Sequence, residues 1–239
     1  NESILYIENT VLKSASRLTG KLEWAKNLNL NDTFRLVSNK HYIIAYNFNK
    51  KIICIDSRNG KVLWKSNKEV NLKYDPVIID NNLFVIDEGD TDQILNYNLE
   101  NGDINWFYNK AILNLKITST PSVNNELLVI QTLINSKSLK NNPINNTMLF
   151  GIDISTGKLN WEKETSPVTQ RPIITESLIF YTINNSNIIV LDTLSGKNIP
   201  LTLTSENNEE MILSQINIYK DSIYSLLKSD NKAILTANK

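Results

Sequence analysis

The chain is poor in the residues that most often carry chemistry: its 239 residues include one Cys, one His, seven Gly and six Pro. A single Cys54 excludes an internal disulfide framework and any CxxC or CxxCH motif, though not an oxidising compartment. Set between Ile53 and Ile55, it reads as a small buried strand residue rather than a reactive thiol. His41 has no other His or Cys near it and reads as a surface residue at a strand start rather than a ligand. An excess of one charge sign is also missing. Lys plus Arg and Asp plus Glu number 25 each, for a net charge of +0 and a pI near 6.8. Neutralising phosphates needs a basic face, so nucleic acid is not an expected partner. No run reaches the ~18 consecutive apolar residues of a membrane-spanning helix. No GxSxG, HExxH, P-loop or EF-hand pattern occurs. The sequence opens at NESILYIENT without Met, basic n-region or apolar h-region, and a targeting segment is expected, if at all, upstream of residue 1.

What is present suits a folded domain. Apolar residues make up 41 %, ordinary for a globular chain, and a chain this long buries roughly 70–75 % of its unfolded surface. Asn is abundant, at roughly 15 % against ordinary usage. It gathers in turns between apolar runs, where left-handed conformations and side-chain-to-backbone bonds suit it.

The strongest signal is an internal repeat. Five stretches align: SASRLTGKLEW (14–24), CIDSRNGKVLW (54–64), NYNLENGDINW (96–106), GIDISTGKLNW (151–161) and VLDTLSGKNIP (190–200). Gly recurs at Gly20, Gly60, Gly102, Gly157 and Gly196, and Trp at Trp24, Trp64, Trp106 and Trp161. Pro200 stands at the end of the fifth copy, and all four Trp of the chain share one repeat position. Around each copy lie short runs rich in Ile, Val, Leu, Phe and Tyr with no 3.6-residue period, such as NLFVID (82–87), QILNYN (93–98) and DINWFY (103–108). Pro76, Pro121 and Pro172 open the first run of their units, where a strand start or edge tolerates proline. Four strands in about 40 residues, repeated, predict an all-β fold, a β-propeller of four-stranded antiparallel blades.

Each motif residue has a physical reading. Asp or Asn ends the third strand and bonds the turn backbone, while Gly four residues later supplies a positive φ. Trp then buries a large ring from the outermost strand. The position two before the Asp holds Ser14, Cys54, Asn96, Gly151 or Val190, mostly small residues that let the indole lie against a neighbouring blade. The pattern resembles AxDxxTGxxxW, the tryptophan-docking repeat of the pyrroloquinoline-quinone-like (PQQ-like) propeller family, over nearly the whole chain. Pro200 departs from it and leaves the fifth docking contact in doubt.

About five to six blades are countable, in what is read as a single propeller domain over residues 1–239. The family usually has seven or eight blades, so it stays open whether this chain is part of a larger ring. The resemblance covers quinoprotein dehydrogenases, which hold PQQ and calcium with a stacking Trp and often a vicinal Cys pair, and non-catalytic scaffolds. With no Cys pair and every Trp assigned to docking, no enzyme, cofactor or metal is expected. Among non-catalytic members the chain is most similar to lipoproteins of the BamB type. That likeness implies a periplasmic, outer-membrane-associated location, an anchor outside this chain and a monomer. It also implies protein partners in outer-membrane β-barrel assembly: the BamA insertase or unfolded barrel substrates. A quinoprotein dehydrogenase fragment and a luminal or extracytoplasmic sensor domain are the alternatives.

Contact residues are expected where the sequence does not repeat. The acidic turn DEGDTD supplies Asp87, Glu88, Asp90 and Asp92, read as a solvated hairpin tip rather than a cation site. The insertion LINSKSLKNNPINNT (133–147) supplies Lys137, Lys140, Asn141 and Asn142, and SENNEE (205–210) is a further acidic segment. The insertion reads equally well as a low-complexity loop.

Overall fold

In a computed structural model, the described residues are 3–29, 34–47, 51–109, 115–135, 145–166, 168, 170–183, 187–200, 212–219, 222–229 and 232–238. Among them there is no helix, and the strands form six antiparallel sheets. The chain divides into two compact units, residues 1–110 and 111–239.

The first unit holds three sheets. The first contains β1 (Ser3–Glu8), β2 (Val11–Ser16) and β3 (Leu22–Asn27). Next come β4 (Arg35–Ser38), β5 (Tyr42–Tyr46), β6 (Ile53–Asp56) and β7 (Val62–Lys65), in that order. The third sheet runs β8 (Val77–Ile79), β9 (Asn82–Asp87), β10 (Gln93–Asn98) and β11 (Ile104–Tyr108). These are meanders, each strand paired with its sequence neighbour, as a propeller blade requires.

The second unit repeats the plan. Its first sheet has a split inner strand, β12 (Lys116–Ile117) and β13 (Ser122–Val123), both paired to β14 (Leu127–Asn135), followed by β15 (Asn145–Asp153) and β16 (Leu159–Thr165). Then come β17 (Ile173–Ile174), β18 (Leu178–Ile183), β19 (Asn187–Asp192) and β20 (Asn198–Ile199). A three-stranded sheet of β21 (Ile212–Tyr219), β22 (Ser222–Ser229) and β23 (Lys232–Asn238) closes the list.

The two middle strands of a blade are covered on both faces, which is why their sequences are continuous apolar runs rather than alternating ones. β6 is buried at every residue, and β9 and β10 at four consecutive positions each. The core accordingly lies between adjacent blades. Ile44, Cys54 and Trp64 of the second blade pack with Leu83, Val85, Leu95 and Tyr97 of the third. Leu127, Val129, Leu149 and Trp161 pack likewise with Ile179, Tyr181 and Leu191 of the fifth. On the outermost strands β7, β11 and β16 the Trp is the buried residue.

Two expectations change. Pro200 does not occupy the Trp position: Val190 faces Ile199, and Pro200 lies beyond β20. The 133–147 insertion is not all loop either. Its ends prolong a nine-residue hairpin with Leu133 opposite Thr147 and Asn135 opposite Asn145, because the Ile- and Thr-containing flanks continue the ladder.

Candidate functional site

The repeated motif builds a contact between neighbouring blades. In each Trp-bearing copy the indole residue sits opposite the small position: Ser14 faces Trp24, Cys54 faces Trp64, Asn96 faces Trp106 and Gly151 faces Trp161. One step later the register shifts, so that Ala15 faces Leu22, Ile55 faces Val62, Tyr97 faces Ile104 and Ile152 faces Leu159. A single extra residue (Glu23, Leu63, Asn105 or Asn160) therefore forms a β-bulge that re-aims the Trp. The fifth copy has no shift, with Val190 facing Ile199 and Leu191 facing Asn198.

The indole N–H then donates to a carbonyl of the next blade. Trp24 Nε1 reaches Ser57 O at 3.1 Å, Trp64 Nε1 reaches Leu99 O at 2.8 Å, and Trp161 Nε1 reaches Thr193 O at 2.8 Å. Each acceptor is the first turn residue of the following motif copy. The motif glycine of that copy receives the ring. A Cβ on Gly60 would stand 2.6 Å from the Trp24 ring, one on Gly102 2.6 Å from Trp64, and one on Gly196 2.6 Å from Trp161. These glycines also have φ of +70°, +80° and +64°. They carry two constraints, whereas the sequence reading assigned only the turn. Gly20 shares the conformation at φ +69°, yet among the described residues nothing lies within 4 Å of its Cβ position.

The turn carboxylates act as expected. Asp56 accepts from the Arg58 backbone N–H at 2.9 Å and from its guanidinium at 2.7 Å. That guanidinium, ahead of the backbone and Asn59 bonds, holds the Asp56 carboxyl down at about 2. Ser155 and Thr156 lower Asp153, and the Ser195 hydroxyl and backbone N–H lower Asp192, in the same way. Cys54 is fully buried, its S–H aimed at Leu99 O at 3.6 Å, and burial pushes its thiol up to about 12. It is an inert core residue.

A second link between blades comes from asparagines in the turn between the first two strands of a blade. Asn39 accepts from the His41 and Tyr42 N–H groups and donates to Asp80 O of the next blade at 2.9 Å. Asn124 does the same with Glu126, Leu127 and Thr175 O at 2.7 Å. Nothing in the sequence marks this pair, because two linking Asn do not stand out in an Asn-rich chain. A 240 Å³ cavity beside the second link is lined by Asn124, Glu126, Asp153, Asn160 and Leu194.

The acidic turn 87–92 is not simply a solvated tip. Asp87 accepts from the Asn71 N–H at 2.9 Å and lies 3.6 Å from Lys68 Nζ. The side chain of Asp92 is 0 % exposed and pairs with Lys73 at 2.8 Å, with Glu88 at 4.0 Å from the same ammonium. The connection between the second and third blades thus straps the turn down, and Asp90 is left exposed. Lys137, Lys140, Asn141, Asn142 and the 205–210 segment lie outside the described residues. Among the described residues no group of three or more His, Cys, Asp or Glu could hold a metal ion.

The sequence profile described as outer membrane protein assembly factor BamB matches residues 8–235. The chain belongs to the BamB family. Its fold is the β-propeller of PQQ-like blades seen in quinoprotein dehydrogenases. BamB from Moraxella catarrhalis is similar at 14 % identity and TM-score 0.48, with 100 % of this chain and 80 % of that one covered. A quinohemoprotein alcohol dehydrogenase from Comamonas testosteroni is similar at 15 % identity and TM-score 0.58, covering 83 % of this chain and 41 % of that one. A europium-containing methanol dehydrogenase is similar at 12 % identity and TM-score 0.57, covering 82 % and 48 %. The chain thus spans less than half the length of these dehydrogenases. No curated protein matches it in sequence.

Proposed function

We propose that this chain is a non-catalytic PQQ-like propeller scaffold, a single domain that assists the assembly of outer-membrane β-barrel proteins in the periplasm. The observation that carries this reading is the BamB-family match over residues 8–235. The chemistry of the described residues supports it. A quinone cofactor needs an open aromatic face, but the indoles of Trp24, Trp64 and Trp161 are spent on carbonyls and glycines of the next blade. Trp106 is 8 % exposed and packs at 5.8 Å from Phe84. The one thiol is buried and protonated. The chain's work is to present a rigid frame from which non-repeating turns reach a partner.

The experiment is a binding titration against the BamA insertase with two variants. The first removes residues 136–144, between the paired ends of β14 and β15; the second replaces Asp90 with Lys. Partner binding weakened several-fold, at a Tm changed by no more than about 2 °C, is the expected result for the first. Undiminished BamA binding by both variants would remove the proposed contact residues. No BamA binding by the parent chain, together with PQQ- and calcium-dependent dye reduction, would replace the scaffold reading by the dehydrogenase one.

A further inference from the structure

Two of the five motif turns place asparagine immediately before the motif glycine: Asn59–Gly60 and Asn101–Gly102, the only Asn-Gly pairs in the chain. The other three copies have Thr19, Thr156 and Ser195 there. All five side chains do one structural job, accepting from the backbone N–H two residues on. Asn59 Oδ1 accepts from Lys61 at 2.9 Å and Asn101 Oδ1 from Asp103 at 3.0 Å. The hydroxyls of Thr19, Thr156 and Ser195 accept from Lys21, Lys158 and Lys197 at 3.4, 3.3 and 3.4 Å. The turn asks for a short side-chain oxygen. Only in the second and third copies is that oxygen carried on a carboxamide carbon.

That difference is chemical. A carboxamide followed by glycine is the electrophile of an intramolecular ring closure, since a residue without Cβ leaves its nitrogen open to close approach. In both turns the electrophile is prepared. The N–H two residues on points at the oxygen where negative charge develops, the arrangement that stabilises a tetrahedral intermediate. The nucleophile, by contrast, is masked. Gly60 N–H is donated to Asp56 O and Gly102 N–H to Asn98 O, both at 2.9 Å. An indole lies on each glycine, Trp24 on Gly60 and Trp64 on Gly102. The carboxamide nitrogens face carboxylates: Asn59 Nδ2 donates to Asp56 Oδ2 at 3.3 Å and Asn101 Nδ2 to Asp103 Oδ2 at 2.7 Å. Asn59 and Asn101 are themselves exposed.

We propose that Asn59 and Asn101 are modification sites, converted through a succinimide to isoaspartate and aspartate, and that the indole docked from the preceding blade sets the rate at each. When the turn opens, the glycine nitrogen attacks the asparagine Cγ. The new C–N bond closes an imide ring, and the glycine N–H proton leaves with the side-chain NH2 as ammonia. Water then splits one of the two imide C–N bonds, giving Asp or an isoaspartate whose main chain runs through Cβ and Cγ. Both products damage the seat. Isoaspartate lengthens the turn by one main-chain carbon beside a glycine held at φ +70° or +80°. Asp exchanges a donor for a second carboxylate beside Asp56 or Asp103, where like charges repel. The conversion therefore unseats the indole that slows it. This proposal does not rest on the scaffold reading.

The test ages the whole chain at mildly alkaline pH, folded and in urea, and reads Asn, Asp and isoaspartate at every position by mass spectrometry of proteolytic peptides. In urea, Asn59 and Asn101 should convert ahead of every other Asn. In the fold both should be slowed at least ~10-fold, because the reaction follows the open population of the turn. Trp24→Ala is expected to restore conversion several-fold at Asn59 alone, and Trp64→Ala at Asn101 alone. If an alanine variant loses its native circular dichroism, Trp24→Phe or Trp64→Phe, which keeps a ring without the N–H, decides by the same site-by-site reading. The aged parent should unfold at lower urea than the fresh chain. The double variant Asn59→Thr, Asn101→Thr carries the residue of other copies and should not change on ageing. Equal rates in the fold and in urea, other Asn converting as fast, or Trp variants that leave both site rates unchanged would overturn the proposal.

Discussion

The hairpins 151–161 and 190–199 lie in successive blades of one unit and differ in a single device. The first has a small residue at Gly151, a bulge at Asn160 and the buried Trp161; the second has Val190 opposite Ile199, no bulge and a two-residue outer strand. Yet the second still receives Trp161 on Gly196 and Thr193 O. The motif therefore has two separable halves. A donor half comprises the small slot, the bulge and the Trp, and an acceptor half comprises the turn carbonyl and the glycine. The fifth copy keeps the acceptor and has lost the donor. The first copy shows the converse: it donates Trp24 to Gly60, while nothing lies within 4 Å of a Cβ on its own Gly20 among the described residues.

That asymmetry orders the expected effects. Trp161→Ala or Trp64→Ala empties a buried interblade site and leaves a turn carbonyl without its donor, so either should cost about 3–5 kcal/mol by denaturant unfolding. Gly102→Ala and Gly196→Ala pair a positive φ with a Cβ 2.6 Å from an indole, and each should cost about 3 kcal/mol. Gly20→Ala, with the same conformation and no ring, should cost only about 1 kcal/mol. A pH series separates the turn carboxylates from the rings. Because Asp56, Asp153 and Asp192 are lowered in the fold, their contribution is present above the ordinary carboxylate range. It is lost as pH falls below about 4, and for Asp56 it persists down to about 2. Replacing the three by Asn should flatten the stability curve in that acid window and leave the curve above it parallel to the parent. Ile199→Trp supplies a ring without the bulge that aims it, and should change stability by no more than about 0.5 kcal/mol.

Much of this was legible in the chain. Trp24, Trp64, Trp106 and Trp161 recur on a period of Gly turns that few folds impose, and strands such as 82–87 and 93–98 fall where the apolar runs end. The acceptor role of Gly60, Gly102 and Gly196 was not legible, because it joins each copy to the one before it in space. The fifth copy misled for a related reason. At the spacing of the bulged copies Pro200 falls in the Trp column, and only strand register shows that this hairpin has no bulge and that Ile199 faces Val190. The acidic turn was read from composition, which registers Asp87 and Asp92 but not the Lys68 and Lys73 that strap them.

The central claim, that the motif glycine of one blade is the seat of the preceding blade's indole, is tested most directly by a double-mutant cycle between Trp64→Ala and Gly102→Ala. Removing the ring should relieve the clash, so the cost of Gly102→Ala should fall from about 3 kcal/mol in the parent to about 1 kcal/mol in the Trp64→Ala background. An equal cost in both backgrounds would mean that the glycine serves only its own turn and would contradict the account.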